Sequence, residues 1–151
     1  MAENRRPAFI PSILYKDRAA ALKWLQDAFG FEVSEILTDA KGDIVHAEMS
    51  HGEGVVMIGN EFTEWAKSPA SVGGANTQRI FVHLDDGVDA HCERARKAGA
   101  QILIGPGDTF YGERSYMAVD LEGHHWTFSQ TVKHATAADY AKAGFKSKAL
   151  S

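Results

Sequence analysis

The sequence predicts an α+β fold built from two βαβββ modules in tandem. Two observations carry this. The order strand, helix, three strands reads once over residues 9–59 and again over 79–131. Landmarks with the same structural duty also recur in register: Asp17 as Asp86 and Gly30 as Gly99, each 69 positions on, and Gly52 as Gly123, 71 positions on. Each unit is too small to bury its sheet well alone, so the two belong to one domain, 1–151. Module one covers 7–60, a linker 61–76, module two 77–131 and a C-terminal tail 132–151.

Residues 9–15 form a short apolar strand whose Pro11 suits an edge or a start, where one N–H is not needed. Asp17 offers a cap acceptor, the next twelve residues place Ala21, Leu22, Leu25, Ala28 and Phe29 on one stripe, and Gly30 ends the helix. Strands at 31–37, 43–50 and 54–59 are separated by the turns Asp39-Ala40-Lys41-Gly42 and His51-Gly52-Glu53-Gly54. The linker has no period and has the length of a flap. Module two restarts with a strand at 79–84, a cap at Asp85 or Asp86, and a helix at 88–98 with Val88, Cys92, Ala95 and Ala98 inward, stopped by Gly99. A strand at 101–104 and a loop at 105–108 lead to the closing hairpin. A helix at 135–143 and a frayed tail after Gly144 complete the chain.

Composition excludes several classes. Net charge is −4 with Lys and Arg scattered, so no basic face argues for nucleic acid. No run approaches the ~18 apolar residues of a membrane span, and the first residues carry no apolar signal core. The lone Cys92 excludes an internal disulfide and fits a reducing cytoplasm, the expected location, as a buried structural thiol.

The closing hairpin, YGERSYMAVDLEGHHWTFSQ at 111–130, has β-forming arms at 116–119 and 126–131 and turns at Asp120 to His124, where Gly123 supplies a positive φ. In its second arm His125, Thr127 and Ser129 share one face; Trp126, Phe128 and Gln130 share the other. The pattern YG-x-R followed by D-x-x-G-H-x-W resembles the closing hairpin of the glyoxalase/bleomycin-resistance proteins, the vicinal oxygen chelate superfamily. The resemblance implies that the two modules make a concave mixed sheet with helices on its convex face, and a cup for a small molecule.

Alternation assigns the faces of that cup. Ile80, Val82 and Leu84 face the helix, leaving Arg79, Phe81 and His83 inside; Val45, Ala47 and Met49 face the helix, leaving Ile44, His46 and Glu48 inside. His125, Thr127 and Ser129 also face in. Phe110, Tyr111 and the linker's Trp65 are rim candidates, since an exposed aromatic can close over a flat ligand. The expected ligand-binding set is therefore His46, Glu48, Trp65, Arg79, Phe81, His83, Phe110, Tyr111, His125 and Thr127. Arg79 beside Phe81 selects an acidic or carbonyl oxygen on a flat, partly apolar molecule, unless Arg79 pairs internally with Glu48. Arg114 is expected to pair with Asp120 across the hairpin or, as the lesser alternative, to bind an anionic ligand group bidentately, and His51, His124 and His134 to be solvated.

In the family's enzymes, inward side chains from four strands hold a divalent metal. The resemblance puts those positions near Ile10, Val56 or Met57, Arg79 and Thr127. Arg79 stays protonated and would repel the ion, so a metal-free, cofactor-free small-molecule-binding protein of the bleomycin-resistance type is expected. The alternative is a metal-dependent lyase, isomerase or dioxygenase using His46, Glu48, His83 and His125, whose imidazoles and carboxylate suit Zn, Fe or Ni. The resemblance further implies a homodimer in which neighbouring chains complete each other's cup.

Overall fold

The first helix is set by its two ends. Asp17 accepts a hydrogen bond from the Ala20 N–H at 3.0 Å, and Gly30 takes the left-handed φ of 73° that a side chain would resist. Between them α1 (Arg18–Phe29) buries the stripe Ala21, Leu22, Leu25, Ala28 and Phe29. The computed structural model describes residues 5–148, so the first four residues of the expected signal-free start and the last three of the expected tail lie outside it.

Strands β1 (Ser12–Tyr15), β2 (Glu32–Thr38), β3 (Ile44–His51) and β4 (Gly54–Asn60) form a sheet of order β1-β4-β3-β2, with β1 and β4 parallel and the rest antiparallel. The strand expected from residue 9 starts after Pro11, whose carbonyl accepts from the Met57 N–H at 2.8 Å. Ile13, Tyr15, Ala47, Met49, Val56 and Ile58 supply the buried face. Val45 departs from the expected helix-facing set: it is 57% exposed, because the β2–β3 hairpin leaves all seven residues of β2 in solvent. His51 is half-buried at the end of β3 and meets the Phe31 ring rather than standing free.

This unit comprises the chain up to Thr77 together with the turn Asp120–His124. In that turn Asp120 accepts from the Tyr15 hydroxyl at 2.6 Å. Glu122 accepts from the Lys16 and Asp17 N–H groups at 2.6 and 2.9 Å and from the Ser68 hydroxyl at 2.6 Å. His124, expected to be solvated, donates through Nε2 to the Leu14 carbonyl at 2.7 Å and packs on the Tyr15 ring.

The second unit holds Gln78–Val119 and the chain from His125 onward. Strands β5 (Ile80–Leu84), β6 (Gln101–Asp108), β7 (Glu113–Val119) and β8 (His125–Thr131) form a sheet of order β5-β8-β7-β6, β5 parallel to β8. Helix α2 (Val88–Lys97) buries Val88, Cys92 and Ala95 against Leu84, Tyr116, Ala118, Trp126 and Phe128. Its cap differs from the expected Asp85 or Asp86. The helix begins later, Gly87 holds the N-cap with φ 70° and no side-chain bond, and the Gln130 side chain accepts from the Val88 N–H at 3.1 Å.

The stretch 105–108, expected as a loop, continues β6. As the sheet's edge strand it tolerates Pro106, and shifted register around Ile104 and Gly107 absorbs the irregularity. Arg114 pairs with Asp89 at 2.9 Å and Asp108 at 3.0 Å, not with Asp120, which is taken by Tyr15. After β8, α3 (Ala137–Lys142) starts with a capping box between Thr136 and Asp139. Phe145, expected in a frayed tail, stacks on Phe110 at 4.9 Å. Burying ring faces against each other outweighs fraying at this point.

A candidate ligand site on the open sheet faces

Each sheet has one face covered by its helix and one open. On the second sheet, strand pairing lays the open face out in rows. Phe81 of β5 lies beside Thr127 of β8, which lies beside Met117 of β7. His83, Ser129 and Ser115 make the next row, and Thr131 with Glu113 the one after. Phe81 is 57% exposed and His83 is exposed, as alternation required. Ser129 and Thr131 donate to the two carboxylate oxygens of Glu113, at 3.1 Å to Oε2 and 2.9 Å to Oε1. His83 Nε2 lies 3.1 Å from the Thr131 hydroxyl. Thr127 is only 8% exposed, and its hydroxyl is buried with no hydrogen-bond partner among the described residues.

On the first sheet, His46 and Glu48 of β3 share the open face. Glu48, buried, accepts from Arg6 at 3.1 Å and lies 2.7 Å from His46 Nε2. The Arg6 hydrogen bond, then the His46 one, holds the Glu48 carboxyl below the usual range. Glu48 is thus engaged by Arg6 and His46, not by Arg79.

The remaining expected residues are spread more widely. Arg79 is exposed just ahead of β5, with no ion pair to another described residue. His125 is half-buried at the start of β8. Trp65 is 78% exposed and meets Phe62 edge to face at 5.2 Å. Phe110 and Tyr111 pack on each other in the β6–β7 turn, and Phe110 also meets Tyr140 and Phe145. Phe110 is therefore held by its own chain's tail. Cys92 is fully buried, and burial pushes its thiol up, away from the thiolate a nucleophile needs.

Glu113, Thr131 and Arg6 escaped sequence reasoning. Starting β7 at Tyr116 left Glu113 without a face. Extending the alternation His125, Thr127, Ser129 by one step would have found Thr131. Arg6 lies in an irregular segment where no period points.

The residues at the resembling metal positions do not fit a divalent ion. Val56 lies on the buried helix-facing side, Met57 opposes Glu48, Arg79 is a cation and Thr127 a neutral hydroxyl. Among the described residues, no three of His, Cys, Asp and Glu gather as a ligand group.

Comparison with known proteins agrees with the geometry. An uncharacterized protein of Mycobacterium bovis is 29% identical over 138 residues, spanning 88% of this chain and 89% of that one. The crystal structure of TioX from Micromonospora sp. ML1 is 34% identical with a TM-score of 0.67, covering 83% of this chain and 98% of that one. TnmS3, an antibiotic binding protein from Streptomyces sp. CB03234, shares the fold at 20% identity and a TM-score of 0.62, covering 83% and 99%. The description Glyoxalase/Bleomycin resistance protein/Dioxygenase superfamily matches residues 10–128, and the chain belongs to that superfamily.

Proposed function

We propose that this protein binds a flat, partly apolar small molecule bearing an acidic or carbonyl oxygen, without a metal. The observation that carries the reading is the exposed Phe81 paired with Thr127, whose buried hydroxyl lacks a partner among the described residues. An apolar surface beside a polar group awaiting a hydrogen bond is the composition of a small-molecule site. That TnmS3, which shares this fold, is an antibiotic binding protein supports the same reading. Arg79 supplies a fixed positive charge for the oxygen, and Tyr111 and His125 remain candidate contacts.

The test is titration with hydroxynaphthoquinone, a flat acid, followed by fluorescence and thermal shift. Both Arg79→Ala and Arg79→Lys should weaken binding about tenfold or more while melting temperature stays near wild type. Binding unchanged in both variants removes Arg79 from the site. Chelator treatment should leave the melting temperature unchanged, since no ion would be bound to the native state. One equivalent of transition metal, lost with His46→Ala or His83→Ala, would instead establish the metal-dependent lyase, isomerase or dioxygenase reading.

The protein acts in this proposal as a cytoplasmic homodimer. What supports the dimer is β2, an edge strand exposed along its length with Val33, Ile36 and Leu37 in solvent. A monomer by light scattering at micromolar concentration would end that part of the proposal.

A further inference from the structure

We infer that His83 is the hydrogen-bond acceptor of the open face on the second sheet, receiving the O–H of a weakly acidic aromatic ligand. This deepens the binding reading above and rests on it. The direction of each hydrogen bond follows from chemistry. As a carboxylate Glu113 can only accept, and it takes the hydroxyl hydrogens of Ser129 and Thr131. A threonine hydroxyl has one hydrogen, and that of Thr131 points to Glu113. Toward His83, 3.1 Å away, the Thr131 oxygen can therefore only accept. The hydrogen between them belongs to His83 Nε2, and the Nδ1 of the neutral ring keeps its lone pair.

A base with one nitrogen tied through a hydroxyl to a carboxylate is oriented for use by the other nitrogen. Two residues along the same face, Phe81 offers an exposed ring for a flat partner. Beside it stands Thr127, whose buried hydroxyl, unpartnered among the described residues, is a second and independent sign of a missing ligand group. The ligand O–H donates a hydrogen bond to His83 Nδ1, and no covalent bond changes. The chemical class selected is an un-ionised phenol or enol on a fused aromatic frame, in preference to the same frame without the acidic hydrogen.

The experiment compares β-naphthol with its methyl ether, both titrated by fluorescence at neutral pH. Wild-type protein should prefer the naphthol by about tenfold, the size of one good directional hydrogen bond. His83→Ala and Thr131→Val should bring the ratio close to one, and Thr131→Ser, which keeps the hydroxyl, should restore it. Circular dichroism checks that each variant is folded. Equal affinities in wild type, or a preference that survives His83→Ala, would overturn this inference while the binding reading stands. Failure of both probes to bind would overturn the two together.

Discussion

Tyr15 donates its phenolic hydrogen to Asp120 over 2.6 Å, although 105 positions separate them in the chain. The same Asp120 carboxylate accepts from the N–H groups of Glu122 and His124, both at 3.0 Å. One buried acid therefore holds a strand and a turn. Tyr15→Phe should destabilise by about 1–3 kcal/mol, because a buried carboxylate loses a donor. Asp120→Ala should cost more, since three donors lose their acceptor. Urea unfolding measures both, and a Tyr15→Phe protein as stable as wild type would remove the bond from the account.

Alkaline pH should weaken the fold. Burial, then the neighbouring Asp120 charge, raises the Tyr15 hydroxyl well above its ordinary range, and burial raises Tyr116. Both groups hold their protons in the native state where the unfolded chain would release them. The stabilisation is complete below about pH 10 and diminishes as pH rises beyond it. Urea midpoints should therefore fall between about pH 9 and about pH 11, less steeply in Tyr116→Phe. Glu48 acts in the opposite sense. Its lowered carboxyl contributes stability above the ordinary carboxylate range that is lost on acidification, and Glu48→Gln should flatten that limb.

Gly112 should tolerate no side chain. Its φ is +88°, and an added Cβ would collide with the Lys133 carbonyl. Its own carbonyl accepts from the Val132 and Lys133 N–H groups at 2.9 and 3.1 Å, so the chain leaving β8 is threaded against the β6–β7 turn. Gly112→Ala should destabilise by about 2–5 kcal/mol through combined strain and overlap. A melting temperature equal to wild type would mean the turn can open freely.

The cap of α2 gives a paired prediction. Gln130→Ala should cost about 0.5–2 kcal/mol, the range for losing a cap. Asp86→Ala should stay within about 0.5 kcal/mol, as an ordinary surface change. Hydrogen exchange at the Val88 amide should accelerate only in the first. The reverse ranking would restore Asp86 as the cap.

These cases mark what a sequence displays. Asp17 and Gly30 were legible because their partners lie within four residues, and the stripe on α1 because period 3.6 is local. Gln130 was not, because it caps a helix 42 positions away. Pro106 suggested a loop since nothing local tells an edge strand from a central one. Arg114 was read as a pair across its own hairpin, whereas its carboxylates come from α2 and β6. On the second sheet, alternation put Phe81, His83 and Thr127 on one face, and the strand register does the same. Glu113 was lost through a strand boundary placed three residues late.

The turn Asp120–His124 lies in one half of the repeat by sequence and in the other by its bonds. A fragment ending at Thr77 would be missing the acceptor of Tyr15, the acceptor of the Lys16 and Asp17 amides, and the donor to Leu14. The duplicated halves are thus no longer interchangeable cassettes. Splitting the chain at its linker for complementation, or transplanting the first half into a relative, requires that pentapeptide to be carried along with it.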